Sequence, residues 1–170
     1  SYIGIKNSFQ KASSNSDSDI LHALWYDTTH TVENFITPKN IEQLDKAITL
    51  MMEASRINLL GLRSSRTVSL YLESAIDRFY PHVRQLSNES EFLYDKIFRL
   101  SAEEDIIIIF SAWPCTKRTI DVSAICRDRH VPIILVTNTS LNPIARYADI
   151  VIDTNSVNSG CGILPLMFIA

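Results

Sequence analysis

The sequence is short of glycine and cysteine, contains no long apolar run and has no excess of positive charge. With only four glycines in 170 residues, a glycine that directly follows a predicted strand is informative. The three cysteines form no C-x-x-C pair, which argues against a zinc site or disulfide framework and favours reduced thiols in a cytosol. No stretch approaches the roughly 20 apolar residues of a membrane-spanning helix, and no signal-peptide pattern opens the chain.

The charge and apolar content bound the class of protein. The formal net charge is −3, so the overall basic charge typical of nucleic-acid-binding proteins is missing. With 46% hydrophobic residues the chain is too apolar for intrinsic disorder, and its length suits a single domain. Residues 56–170 carry equal numbers of basic and acidic residues. An anion site there must therefore be local, built from a few arginines.

The first 54 residues predict a linker followed by two helices. The serine-rich stretch 11–19 is polar and typical of a flexible linker. Apolar residues then recur at helical spacing over about residues 20–36. Thr37-Pro38 and Asn40 are start signals for a second helix. Its apolar stripe is Ile41, Leu44, Ala47, Ile48, Met51 and Met52. We interpret the two methionines as core packing.

From Arg56 onward, short apolar runs alternate with helical segments. The runs are Ile57–Leu60, Val83–Leu86, Ile106–Phe110, Ile133–Val136 and Ile150–Ile152. The helical segments lie near 65–80, 89–99, 116–130 and 143–148. The first of these places on one face Val68, Tyr71, Leu72, Ala75, Ile76 and Phe79. Solidly apolar strands are buried on both faces, so this alternation predicts an α/β domain with a parallel sheet covered by helices on both sides.

Two loops contain the residue types that bind a phosphate. One is Gly61–Thr67 and the other is Ser111–Thr119, each after an apolar run and before a predicted helix. Ligands of parallel α/β sheets bind beyond the carboxyl ends of strands, near helix N-termini. Hydroxyl groups and cations lie in both loops, and Gly61 permits a tight turn. We predict a phosphate bound jointly by the loops; the alternative is that Ser65 and Thr116 only cap helices beside solvated arginines.

Other chemistry has less support in the residues. Cys115 lies in a loop before a helix, where a thiol pKa can be depressed, but no neighbouring motif marks it as a nucleophile. The histidines show no metal-ligand spacing, so neither a metal nor another cofactor is expected. Trp113 beside Pro114 could be a sugar-stacking wall, a lid or a subunit contact. Gly61 without a second glycine matches neither a dinucleotide fingerprint nor a P-loop.

Several segments resemble the sugar isomerase (SIS) domain over roughly residues 41–170. Gly61–Ser65, followed by a helix and a short strand, resembles its opening. Glu104–Ser111 resembles its central strand and the start of its second phosphosugar loop, and Val131–Asn138 with Asn142–Val151 resembles its next strand and following segment. The form Gly-x-Arg-x-Ser at 61–65 is most similar to the SIS domains of RpiR-type bacterial transcriptional regulators.

The resemblance implies a fold, a domain division and a site. It implies a three-layer αβα sandwich with a five-stranded parallel sheet of flavodoxin-like topology, in a homodimer or higher homo-oligomer. Residues 1–40 would be a linker and N-terminal helix leading from a missing helix-turn-helix domain, and residues 41–170 the phosphosugar-binding SIS domain. The candidate ligand-binding residues, from the two loops and the resemblance together, are Gly61, Arg63, Ser64, Ser65, Ser111, Trp113, Thr116 and Lys117.

The second loop departs from the family pattern, which is commonly Ser-x-Ser-Gly-x-Thr-x-Glu. Trp113 and Pro114 stand in place of the second serine and the glycine, and Arg118 stands in place of the glutamate. The Trp-Pro pair removes one hydroxyl and one N–H donor. The loop has therefore either been reshaped for a different sugar phosphate or lost its ligand.

Three functions remain open. The resemblance implies a cytoplasmic effector-sensing domain, whose phosphosugar alters DNA affinity through the missing domain and which has no membrane contact. An aldose–ketose isomerase needs a base near the sugar C1 and C2; neither loop contains His and Arg118 replaces the usual Glu, so we do not expect an enzyme. The third is a ligand-free dimerisation scaffold. The uncharged C-terminal run 163–170 is interpreted as a core element or a subunit interface.

Overall fold

The computed structural model describes residues 17–88, 91–156 and 164–170. Helices α1 (Asp17–Phe35) and α2 (Pro38–Glu53) come first. The strands are β1 (Arg56–Gly61), β2 (Val83–Gln85), β3 (Asp105–Ser111), β4 (Ile133–Thr137) and β5 (Ile150–Asp153). The later helices are α3 (Ser65–Ile76), α4 (Leu93–Ile97), α5 (Lys117–Asp128), a 3₁₀ helix (Pro143–Arg146) and α6 (Leu164–Ile169). Most of the predicted linker over 11–19 lies outside the described residues.

The five strands form one parallel sheet in the order β2-β1-β3-β4-β5. All seven residues of the central strand β3 are buried, because helices cover both faces of the sheet. On one face Val68 of α3 and Leu166 of α6 pack against the sheet with α2; on the other, Leu93 of α4 and Val122 of α5 do so. The predicted three-layer αβα sandwich of flavodoxin-like order is confirmed.

The start of α2 is set by local chemistry, as predicted. Thr37 is its N-cap and accepts a hydrogen bond from the Asn40 backbone N–H at 3.1 Å, and Pro38 occupies the first helical position. The Asn40 side chain has a different role. Its amide nitrogen donates to the carbonyls of Phe35 and Asp153, at 2.9 and 3.0 Å, so it ties the end of α1 to the edge strand β5.

Two predicted apolar faces are wrong in part. The buried face of α3 is Ser65, Val68, Ser69 and Leu72; Tyr71 is 50% exposed and Phe79, beyond the helix end, is 85% exposed. The small serines let α3 lie close to the sheet, whereas an apolar pattern counts them as polar. In α2, Met51 packs against the core but Met52 is 75% exposed, so core packing holds for Met51 only.

The lengths of the remaining elements also differ from prediction. The expected helix over 89–99 is only α4, five residues long, and the expected helix over 143–148 is a 3₁₀ turn that begins at Pro143.

Leu166 of the C-terminal run is fully buried, so this run does contribute to the core, while Phe168 stays 53% exposed. Among the described helices, none combines the length and the apolar character that a bilayer span requires.

Candidate functional site

The two predicted loops meet at the carboxyl ends of β1 and β3. Gly61 and Phe110 are paired in the sheet register, so the loops leave from adjacent strand ends, where the strand order reverses direction. Ser65 joins them. It is 4% exposed, and its hydroxyl oxygen accepts a long hydrogen bond, 3.5 Å, from the Ala112 backbone N–H. The fold therefore brings the first loop into contact with the second.

Gly61 is required by close packing rather than by an unusual backbone angle. A Cβ on Gly61 would lie 2.2 Å from the Ser65 carbonyl oxygen, so no larger residue fits beneath the start of α3. The turn itself falls two residues later. Arg63 adopts φ 56°, in the left-handed region that favours glycine. The sequence predicts that Gly61 is needed for a tight turn, and this reason is wrong. Arg63 makes the turn, and Gly61 is needed because a side chain there would collide with Ser65.

A third loop, which sequence reasoning missed, supports the first. Ser87 follows β2, and its hydroxyl accepts a hydrogen bond from the Gly61 N–H at 2.7 Å. The same oxygen lies 2.8 Å from the Ser69 hydroxyl, which itself bonds to the Arg66 carbonyl at 2.9 Å. The sequence contained one signal for this contact, a serine directly after the apolar run that predicts an edge strand. Because the carboxyl ends of parallel strands lie at the same edge of the sheet, that serine could have been placed beside the first loop.

Two asparagines after β4 hold the second loop. Asn142 is buried, and its side-chain amide donates to the Ser111 carbonyl at 2.9 Å and to the Thr137 hydroxyl at 3.1 Å. Asn138 accepts from the Trp113 backbone N–H at 2.7 Å. Sequence reasoning did not place these asparagines at the site. Their distance along the chain from the second loop hides the contact.

The helix-cap interpretation is correct for one loop hydroxyl and wrong for the other. Thr116 is the N-cap of α5: its hydroxyl accepts from the Thr119 N–H at 3.2 Å and contacts the Thr119 hydroxyl at 2.8 Å. Ser65 caps nothing; the N-cap position of α3 belongs to Ser64, whose side chain makes no capping hydrogen bond. Ser64 is exposed. Ser65 is therefore a buried hydroxyl aimed at the opposite loop.

The cations of the site lie on its solvent side. Arg63 and Arg66 are exposed, and neither pairs with a carboxylate in the part of the chain that the structure describes. Lys117 is 90% exposed at its side chain and pairs with Asp121 at 3.1 Å. Trp113 is 43% exposed and its peptide bond to Pro114 is cis. The first loop thus presents unpaired positive charge, and the second presents an aromatic ring.

Among the residues that the structure describes, the thiols and other metal-ligating side chains do not build a second kind of site. Burial raises the pKa of the Cys115 thiol, so the possible depression of that pKa is wrong. Burial also raises the pKa of Cys126 to about 12. Both thiols stay protonated near neutral pH. Within the described ranges no three His, Cys, Asp or Glu side chains cluster to hold a metal ion.

The strand order, the loops at the β1/β3 edge and the serine between them define a class of domain. The sequence profile of the SIS domain family matches residues 50–167 of the chain. The chain therefore belongs to the SIS domain family. Individual relatives add similarity to RpiR-type transcriptional regulators.

Three relatives are informative. An uncharacterised helix-turn-helix transcriptional regulator of Thermotoga maritima is 20% identical in an alignment 153 positions long, which covers 87% of this chain and 52% of the relative. The chain thus spans about half the length of that protein. The sugar isomerase domain of an RpiR transcription factor from Sphaerobacter thermophilus superposes with TM-score 0.71 at 21% identity, over 76% of this chain and 72% of that one. The Vibrio vulnificus NanR protein complexed with ManNAc-6P gives TM-score 0.76 at 14% identity, over 89% and 59%.

Proposed function

We propose that this chain is the effector-sensing domain of an RpiR-type transcriptional regulator and that it binds a phosphorylated sugar between loops 61–67 and 111–119. The DNA-reading part would be a helix-turn-helix domain preceding residues 1–40, and the protein would act in the cytoplasm. The regulator from Thermotoga maritima and the phosphosugar complex of NanR support both halves of this proposal. No chemical step is required of the domain, only unequal affinity of the ligand for two states.

The contact between the buried Ser65 hydroxyl and the Ala112 N–H carries the proposal. At 3.5 Å this hydrogen bond is at the weak end of the range, so a phosphate oxygen inserted between the loops competes for both groups at little cost. At the start of α3 the backbone N–H groups of Arg66 and Thr67 donate to the Arg63 and Ser64 carbonyls, both at 3.2 Å, and the positive end of the helix dipole there favours an anion. Arg63 and Arg66 supply positive charge beside them.

The ring of the sugar would meet the second loop. Trp113 is half-exposed there, its backbone held by Asn138, and an aromatic face stacks on the apolar face of a sugar. In this proposal the conformation of the two loops depends on three further residues: Gly61, Ser64 and Ser111 at the end of β3. Thr116 acts mainly through its cap on α5, and Lys117 adds long-range charge.

A ligand-free scaffold is the second candidate, and one observation favours it. The hydroxyl of Thr116 is already satisfied within α5, and Trp113 and Pro114 remove a further hydroxyl and an N–H from the loop. An isomerase is less consistent with the site. Some SIS-fold structures are described as candidate phosphosugar isomerases, but neither loop contains a His, Asp or Glu to act as the base.

Thermal denaturation with a panel of hexose, pentose and N-acetylamino-sugar phosphates tests the proposal. We expect one class of phosphosugar to stabilise the chain, by about 2.7 kcal/mol at 100 times its Kd, and the matching unphosphorylated sugar to have no effect.

Ser65→Ala should weaken binding by about tenfold in calorimetry, because it removes the hydroxyl between the loops. Thr116→Ala should weaken it less and lower stability by about 1 kcal/mol through the lost cap. A panel without any stabilising sugar phosphate supports the scaffold, and turnover of a phosphosugar supports the isomerase.

Arg63 should show a trade-off between stability and binding. Because Arg63 has φ 56°, glycine relieves a conformational cost of about 1–2 kcal/mol but adds entropy to the unfolded chain. We expect Arg63→Gly to be as stable as the wild type or up to about 1 kcal/mol more stable, and to bind the phosphosugar at least tenfold more weakly. Arg78→Ala, at an exposed arginine beyond α3, is the control and should change neither. Unchanged affinity in Arg63→Gly would remove Arg63 from the site.

A further inference from the structure

Strand β5 is an edge strand of the sheet, and side chains of α2 bond to its outer edge. The Gln43 side-chain oxygen accepts a hydrogen bond from the Val151 N–H at 3.3 Å. The Asn40 side-chain amide uses its two hydrogens on two carbonyls, that of Asp153 at 3.0 Å and that of Phe35 at 2.9 Å. Asn40 is 7% exposed. One buried amide therefore fixes the carboxyl end of β5 relative to both α1 and α2.

The turn that follows β5, residues 153–156, is cross-linked by its own hydrogen bonds. The Asp153 carboxylate accepts from the Asn155 N–H at 2.7 Å and from the Ser140 N–H, in the loop after β4, at 2.6 Å. The hydroxyls of Thr154 and Ser156 lie 2.6 Å apart, and both residues are buried. Because these contacts leave the turn little freedom, it must move as a unit when the end of β5 moves.

Asn138 connects this turn to the second loop. Its backbone carbonyl accepts from the Ser156 N–H at 2.9 Å, and its side-chain oxygen accepts from the Trp113 N–H at 2.7 Å. Asn138 is itself buried. A continuous path of hydrogen bonds and short backbone segments therefore joins Asn40 to Trp113, which lies 73 positions further along the chain.

We propose that Asn40 is a positioning residue for Trp113, acting through the end of β5, the turn 153–156 and Asn138. The importance of this for binding rests on the proposed function, in which Trp113 is the wall that stacks on the sugar ring. The inference places one determinant of sugar-ring selectivity at the corner between α1 and α2, outside both loops. The phosphate end of the proposed site, around Ser65, lies at the β1 side of the sheet and is not on the path.

Fluorescence of Trp113 in a Trp25→Phe background tests the positioning without any ligand. The chain has two tryptophans, so Trp113 becomes the only reporter. Asn40→Asp is the disruptive variant, because an ionised carboxylate of the same shape cannot donate to the two carbonyls. A carboxylate in the first turn of α2 is favourable for the helix itself. We expect acrylamide quenching of Trp113 to rise about twofold, since the residue is 43% exposed in the native structure and a released ring approaches full exposure.

Matched variants control for the chemical change and for global stability. Asn34→Asp makes the same change at an exposed position of α1 and should leave the quenching unchanged. Asn138→Asp keeps an oxygen acceptor for the Trp113 N–H and should also preserve it, whereas Asn138→Leu should raise it as Asn40→Asp does. Added to Asn138→Leu, Asn40→Asp should have no further effect, because the two residues act in series. Melting followed by circular dichroism measures global stability, and Asn40→Ala replaces Asn40→Asp if the latter does not fold.

An Asn40→Asp protein of lower stability but wild-type quenching overturns the proposal, because Asn40 would then be only a structural tie. So does an equal change in Asn34→Asp, or additive changes in the double variant.

Calorimetry with the phosphosugar panel and with inorganic phosphate gives a separate readout of binding. Asn40→Asp should weaken binding of the stabilising phosphosugar by about fivefold and leave the affinity for inorganic phosphate unchanged, since the phosphate end of the site is not on the path. Equal weakening of both would contradict selective positioning of Trp113. A panel in which no phosphosugar binds the wild type refutes the proposed function and leaves the fluorescence result intact, so the two failures are distinguishable.

Discussion

Asp105→Ala should lower the free energy of unfolding by about 3 kcal/mol, the low end of the cost of breaking a buried ion pair, because its partner Arg56 is 25% exposed. Asp105 is 1% exposed at the start of β3. It accepts two hydrogen bonds from the Arg56 guanidinium, at 2.9 and 2.7 Å. It also accepts from the Asn58 amide at 3.0 Å and from the Ser101 N–H at 2.8 Å. The substitution removes this shared acceptor: Arg56 keeps Glu104 and Asn58 keeps the Ile106 carbonyl, but the Ser101 N–H loses the carboxylate that it donates to.

Chemical denaturation of matched variants measures this effect. Glu104→Ala is the control, because Glu104 contacts the same Arg56 at 2.6 Å from an exposed position; it should cost at most about 1 kcal/mol. Equal losses in the two variants would show that burial of Asp105 adds nothing. The pair lies at the amino ends of the strands, opposite the two loops, so the folded Asp105→Ala protein should keep the wild-type affinity for the proposed phosphosugar.

The same group makes stability depend on pH. Burial alone would raise the pKa of Asp105, but the hydrogen bonds from Arg56, Ser101 and Asn58 outweigh it and lower the pKa to about 2. A carboxyl with a depressed pKa stabilises the fold above its unfolded pKa of about 3.9, and that contribution disappears as the pH falls towards 2. We expect about 2 kcal/mol of acid-sensitive stability from this group. Asp105→Asn should lack it, with a flatter profile between pH 5 and 2.

Gly61→Ala should cost about 3 kcal/mol of stability and abolish the proposed phosphosugar binding. The added Cβ would lie 2.2 Å from the Ser65 carbonyl oxygen and 2.6 Å from its carbonyl carbon, both backbone atoms that cannot rotate away. The start of α3 must move, and overpacking of this kind costs about 1–3 kcal/mol or more. Ser65 would move with it, away from Ala112 of the second loop.

Urea denaturation and calorimetry of Gly61→Ala check both effects. Ser64→Ala is the matched control, since Ser64 is exposed and its side chain makes no capping hydrogen bond; it should be nearly neutral for stability. Wild-type stability of Gly61→Ala would show that α3 does not lie as close to β1 as the structure places it. If it is destabilised yet binds normally, the first loop does not hold the ligand.

Local pattern was enough for the architecture. The apolar runs, especially Ile106–Phe110 and Ile133–Val136, predicted strands buried on both faces, and β3 and β4 are fully buried. Thr37-Pro38 predicted the start of α2. The meeting of the two loops also followed from the sequence, since adjacent parallel strands place their following loops side by side. These inferences succeeded because they depend on residues close together in the chain or on rules of sheet geometry.

Contacts between segments that are distant along the chain could not be predicted from the sequence. Ser87 supports Gly61 across 26 positions, Asn142 holds Ser111 across 31, and Arg56 pairs with Asp105 across 49. No local pattern marks such partners, because each residue type is common in loops and at strand ends. The role of Gly61 was likewise misjudged, since a close approach by Ser65 is invisible until the helix is placed.

By itself the sequence determined the fold class, the family resemblance and the position of the candidate site, because periodicity, capping signals and strand–loop motifs are local properties of the chain. Only the tertiary structure decided which hydroxyl is already used and which is available: Thr116 caps α5 while Ser65 points across the loops. It also decided which apolar side chains stay uncovered, Trp25 and Met52 among them. Burial and hydrogen-bond satisfaction depend on what the rest of the chain places against a residue, which no stretch of sequence encodes alone.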